Sequence, residues 1–362
     1  MYETTGCQPH WSMTTVEILR GVSLVHHIEA DGTAWGSTGR TILRRETNGQ
    51  WVRTAQFPFI PPRDFFGLSR LSARVSRADK CNVFVNSNGY TLAIRAGSVY
   101  VIGEDNSLER RFGIQGDCVL HGGICEDTAG WTYFGEYFQN IQRGPVRIWR
   151  MSPKLDRHEV AYEFPAGRIR HIHGVFRDPF DEQTLWATVG DYANECYLVR
   201  THDRYTTAEW FGDGTQIWRA VTLFFTPDHV CWLTDSHLDQ NYACRMDRRS
   251  GELEKGQRVA CSGWYGLTTT DGLYVGFTTV ERGPGIQSNL SSILVSNDGF
   301  HWTEAGSFRK DGWRPMRLFK NGVISCPTGQ MFTKDIYISG EGLVGFDGSS
   351  RRIRIDPSGD PS

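Results

Sequence analysis

Nowhere in the 362 residues does an apolar run approach the roughly 20 residues that a membrane-spanning helix needs, so no helical span is expected. The opening stretch, MYETTGCQPHWSMTTVEILRG, lacks the basic-then-apolar layout of a secretion signal. Neither sign of charge is in excess: the formal net charge is −2, which gives no basis for nucleic acid or an anionic membrane as partner. The nine cysteines are odd in number and include no C-x-x-C pair. Single cysteines within apolar stretches, such as Cys231 in HVCWL, read as small buried residues in a reducing compartment, not as a disulfide framework or a structural zinc site. No glycine-rich loop opens a helix, which argues against nucleoside phosphates. These absences together describe a soluble, cytoplasmic chain, and they leave its oligomeric state open.

Aromatic side chains and glycine are plentiful, at 12% aromatic residues with 12 Trp and 40 Gly. That combination suits short strands joined by tight turns, and aromatic faces can stack on the C–H face of a sugar ring. Helical periodicity is almost absent, and what recurs is a run of short alternating strands separated by turn residues. The clearest unit spans 170–213: IHGVFRDP, TLWATVGD, CYLVRTHD and RYTTAEWFGD. Similar units precede it (SLVHHIEADG onward, NVFVNSNG onward, VLHGGICEDTAG onward) and follow it (IWRAVTLFFTPD onward, WYGLTTTDG onward, and a partial copy beginning MRLFKNGV). Seven copies at about 45–50 residues each predict an all-β chain, a β-propeller of seven four-stranded blades, with six blades as the runner-up. Residues 1–362 would form one domain, with 1–13 and 351–362 as loosely ordered tails. TTVEIL (14–19) would supply the missing strand of the last blade and clasp the ring.

The sixth copy contains SNDGFHW (296–302). It resembles a shortened Asp-box, the Ser-x-Asp-x-Gly-x-x-Trp hairpin of sialidase-like (BNR-repeat) propellers. Looser echoes stand at 45–51, 150–160 and 200–210. The resemblance implies the fold and a carbohydrate-active setting, since such propellers include sialidases, other glycoside hydrolases, polysaccharide lyases and non-catalytic scaffolds. It does not imply a true sialidase, because the family's early F/Y-R-I-P segment is missing.

Within a blade, the head of the innermost strand and the loop after the second strand lie on one face of the ring. Unusual polar residues gather at those two places. Strand heads carry His121, Arg170, His171, His173, Gln216, Trp218, Arg219, Trp264, Tyr265 and Arg314. The loops after second strands carry Glu136, Tyr137, Asn140, Arg143, Asp191, Tyr192, Glu195, Asp235 and Glu281. The opposite face receives ordinary turns: EDTAG, DPFDEQ, TPD, TTDG and KNG. The expectation is therefore a polar central cleft that binds an acidic, uronate-like oligo- or polysaccharide.

Hydrolysis ranks first, with Glu136 and Asp191 as the carboxylates across the scissile bond and Glu281 in reserve. β-Elimination is the alternative, with His173 as base, Tyr137 or His171 as acid and Arg219 neutralising the uronate. A non-catalytic propeller that binds a glycan or a protein is the third reading. Substrate contacts are assigned to His121, Asn140, Arg143, Arg170, Glu195, Gln216, Trp218, Arg219, Asp235, Glu281 and Arg314. No cofactor is required, but the His171-x-His173 pair also suits a divalent metal, with Gln216 or His121 as a further ligand.

Overall fold

The computed structural model describes residues 10–46, 48–65, 72, 75, 78–313, 316–319 and 321–358. Seven sheets, antiparallel but for one added strand, follow one another around a central axis. Blades 1 to 6 span 24–56, 82–113, 124–164, 172–214, 224–259 and 262–309, each with its strands paired in chain order from the axis outward. Blade 7 is built from Val323–Ser325, Ile336–Glu341 and Ser349–Ser358, with His10–Leu19 as its outermost strand. Seven blades stand and six do not.

Second strands lie between two neighbouring blades and are buried on both faces, as at every position of Leu185–Val189. Outermost strands face solvent and alternate or stay exposed, as in His158–Phe164. Their edges carry charge. Arg150, Arg200 and Arg245 occupy equivalent third-strand positions and donate to Glu159, Glu209 and Glu254 across the sheet, at 2.8, 2.9 and 2.7 Å. A charged outer edge resists pairing with another chain.

The ring is clasped as expected. His10–Leu19 pairs antiparallel with Ser349–Ser358 from His10 opposite Ser358 to Leu19 opposite Ser350. Residues 10–13 and 351–358 are therefore strand and not loose tail. A second clasp was not foreseen: Thr328–Gly329 leaves the last copy and pairs parallel with His27–Ile28 of blade 1, giving that blade a fifth strand.

Two copies depart from their sequence reading. In the seventh, MRLF forms a helical turn, Met316–Phe319, and the inner strand begins only at Val323. In the fifth, Gln216–Trp218 forms a 3-10 turn and the inner strand shrinks to Phe224–Phe225. The Ser296–Trp302 hairpin does make the compact turn its residues imply. The Asp298 carboxylate accepts the Phe300 and His301 N–H groups at 2.9 and 2.8 Å, and Trp302 is buried against the blade. Among the described residues no helix is long and apolar enough to cross a membrane.

Candidate functional site

A cavity of about 410 Å³ opens on the face where strand heads and second-strand loops meet. Its lining includes Tyr137, Arg170, His171, Asp191, Arg219, Trp264 and Glu281 from the residues singled out above, together with Lys80, Asp117, His237 and Asn321. These side chains come from six of the seven blades or their connections, so only closure of the ring assembles them.

Local backbone features aim the central group. The inner strand of blade 4, Ile172–Arg177, pairs with Leu185–Val189 through a β-bulge between Ile172 and Gly174. His173 is the extra residue there, and such a bulge redirects its side chain. Blades 1 and 6 carry bulges at the matching place, between Val25 and His27 and between Gly263 and Tyr265. Asp191 follows Gly190, whose φ of +87° and 1.9 Å approach of a would-be Cβ to the Glu195 carbonyl oxygen leave room for glycine alone.

Asp191 is the hub. Its Oδ2 accepts from Arg170 Nη1 at 2.6 Å, and its Oδ1 forms an ion pair with Arg219 Nη2 at 2.9 Å. The Nε2 atoms of His171 and His173 both lie 3.2 Å from Oδ1 and 3.0 Å from each other. Burial pushes His173 below the ordinary histidine value despite its contact with Asp191.

Arg219 also reaches Asp235 Oδ2 at 3.0 Å, and Trp264 Nε1 donates to Asp235 Oδ1 at 2.6 Å. Burial, with Glu281 and Asp191 nearby, raises the Asp235 pKa well above the usual range even so. Arg219 Nη1 donates to His237 Nδ1 at 3.1 Å, which fixes the other His237 nitrogen as the protonated one. Glu281 accepts from Ser262 Oγ at 2.6 Å, and the Tyr137 ring packs on His171 at 4.2 Å between centroids.

Other candidates lie outside this cavity lining. Glu136 is fully buried: Oε1 accepts Gln115 N–H and Trp149 Nε1–H at 3.1 Å each, and Oε2 accepts Arg147 N–H at 3.0 Å. It is a strut of the loop, and its assignment as a catalytic acid or base is corrected. Glu195 pairs with Arg143 at 2.6 Å on the rim, where Arg143 and Arg170 both lie over the Tyr192 ring. Asn140 staples its loop through Gly144 and the Arg170 carbonyl. Gln216 bridges blades by donating to the Asp191 carbonyl at 3.0 Å and accepting from Ser236 Oγ at 2.9 Å, so it positions Asp191. Trp218 packs on Trp232 in the core. His121 sits apart, beside His26 and Tyr265, with burial lowering its pKa to about 3. Arg314 lies outside the described residues.

Lys80, His237 and Asn321 were not assigned. Lys80 precedes the inner strand of blade 2, so the same placement rule reaches it. Asn321 belongs to KNG, expected on the opposite face, and stands at this cavity because MRLF is not a strand. The opposite end of the axis also holds a cavity, of about 790 Å³, lined by turn residues such as Asn86, Glu126 and Asp127. There Glu126 ties blade 3 to blade 2 by accepting from Ser87 N–H at 2.7 Å, and Asp127 accepts from Ala129 and Trp131 N–H at 2.9 Å, as turn residues do.

Fold and site together define a β-propeller with a charged axial cavity on one face. No known protein family matches the chain, and no curated protein does. Solved structures share the fold at low identity. An oligogalacturonate lyase from Vibrio parahaemolyticus is 11% identical with a TM-score of 0.58, over 96% of this chain and 97% of that one. A chain of a mitotic checkpoint complex is 10% identical with a TM-score of 0.61, over 94% and 91%. The GH74 enzyme of Niastella koreensis is 13% identical with a TM-score of 0.54, over 92% of this chain and 53% of that one, so the chain spans about half its length. At these identities the likeness concerns the fold alone, and none of the comparisons supports a sialidase-like relationship.

Proposed function

We propose that the chain cleaves an oligosaccharide bearing a uronate-like sugar by β-elimination. The observation that carries this reading is the cavity's charge layout. Arg170, Arg219 and Lys80 bring positive charge to a pocket that also holds Tyr137, Trp264 and Glu281. Hydrolysis by Glu136 and Asp191 loses its support, because Glu136 faces away and both Asp191 oxygens are engaged by arginine. In the proposed step the sugar carboxylate lies against the cationic side, which stabilises the enolate-like charge that develops. Glu281 takes the proton from the carbon next to the carboxylate. The bond from the neighbouring ring carbon to the glycosidic oxygen breaks, a C=C bond forms between the two carbons, and Tyr137 protonates the departing oxygen. A lyase among the fold's relatives agrees with this reading without carrying it.

The test is a panel of acidic oligosaccharides followed by unsaturated-uronate absorbance and new reducing ends in parallel. The expected result is both signals from wild type, with turnover reduced about 100-fold or more in Glu281→Gln and Tyr137→Phe while ligand still binds. Reducing ends without absorbance would mean hydrolysis. Binding with neither signal would mean a non-catalytic module. Either outcome overturns the proposal.

A further inference from the structure

His171 Nδ1 lies 3.0 Å from the Phe138 carbonyl oxygen, and His173 Nδ1 lies 2.8 Å from the Ala220 carbonyl oxygen. A carbonyl oxygen only accepts, so each Nδ1 carries the hydrogen and each neutral imidazole directs its Nε2 lone pair forward. Those two lone pairs meet at 3.0 Å, and both meet Asp191 Oδ1 at 3.2 Å. Three acceptors thus converge on one point within a buried pocket, and a positive centre is needed among them.

A single proton serves at most part of this arrangement. On either Nε2 it points at the other imidazole or at Asp191, and one acceptor pair still faces another. Protonating both rings sets two imidazolium groups 3.0 Å apart beside Arg219. A metal cation serves all three. With bonds of about 2.1 Å at right angles, adjacent donors on an octahedral face lie about 3.0 Å apart, which matches the observed triangle. Backbone carbonyls holding the far nitrogens are the usual outer support of metal-bound histidines.

The geometry points to a divalent first-row transition-metal site formed by His171 Nε2, His173 Nε2 and Asp191 Oδ1. Arg219 Nη2 forms an ion pair with the same Oδ1 at 2.9 Å, and the two lone pairs of a carboxylate oxygen leave one for the cation. The Asp191 carboxylate, itself one of the three donors, offsets part of a dication's charge beside Arg170 and Arg219. His171 and Asp191 line the cavity, whereas His173 stands behind them. The remaining coordination positions therefore face the cavity, where an oxyanion-bearing ligand would fill them. The site rests on geometry and holds whatever reaction the cavity performs.

The test needs no substrate. The full chain is stripped with EDTA and titrated with Mn²⁺ alone by calorimetry, and bound metal is counted by elemental analysis. The expected result is one Mn²⁺ per chain, with nitrogen coupling from imidazole in its electron-spin-echo spectrum and a rise in melting temperature by mass action. Binding weakens about 100-fold or more in His171→Ala and His173→Ala and is unchanged in His202→Ala, an exposed histidine elsewhere. Circular dichroism checks that the variants fold. If they do not, the wild-type nitrogen coupling and stoichiometry decide alone. Less than one ion per chain, absent nitrogen coupling, or wild-type affinity in the folded variants would overturn the site.

Discussion

Arg219 bridges Asp191 and Asp235 while touching His237, so one guanidinium ties together the loops after the second strands of blades 4 and 5. The strand-head and loop rule found it, along with Arg170, His171, His173, Asp191, Asp235 and Glu281, from sequence position alone. It failed at Glu136 for a physical reason. Neighbouring residues in extended chain point opposite ways, and Tyr137 faces the cavity, so Glu136 faces inward. The buried histidines His26, His27 and His121, outside the cavity lining, set a pH dependence. Burial lowers His27 to about 4 and His121 to about 3, against the ordinary 6.5 of the unfolded chain. Between pH 6.5 and about 4 the unfolded state binds the extra protons, so stability falls as pH drops through that window and is unaffected above it. Each contributes a slope of about 1.4 kcal/mol per pH unit. Urea midpoints measured from pH 7.5 to 5 should fall accordingly, and His121→Gln should flatten the slope. A flat profile in wild type would contradict this.

At the scale of elements, most strands were legible as runs between turn signals, as Ile172–Arg177 is in IHGVFRDP, whereas IWRAVTLFFTPD overstates an inner strand that is only Phe224–Phe225. The bulges at His26, His173 and Trp264 carry no residue signature, yet they aim the axial side chains. The element most exposed to test is the turn that delivers Asp191. Gly190→Ala forces a side chain into left-handed backbone and into the Glu195 carbonyl oxygen. It should cost about 2 kcal/mol or more and displace Asp191 from its arginines. Denaturant unfolding measures the first effect, and loss of Mn²⁺ binding reports the second. An alanine variant as stable as wild type would show that the turn is not constrained as described.

For the whole molecule, closure is what makes a site. The ring is held by His10–Leu19 on blade 7 and by Thr328–Gly329 on blade 1. The first clasp was readable because TTVEIL alternates with no partner of its own in the first copy. The second was not, since two residues carry no pairing signal. Removing residues 1–20 bares the edge of Ser349–Ser358 and should lower the melting temperature by about 10 °C or more, with a tendency to associate. An unchanged melt would mean that the clasp adds nothing.

The central claim is that the cavity assembled by this closure cleaves an acidic glycan by elimination. Its most direct measurement is mass spectrometry of the products formed in heavy-oxygen water. The account predicts an unsaturated product whose two fragments together keep the mass of the substrate and carry no heavy oxygen from the cleavage step. Incorporation of one heavy oxygen at the cleaved bond, the mark of hydrolysis, would contradict it.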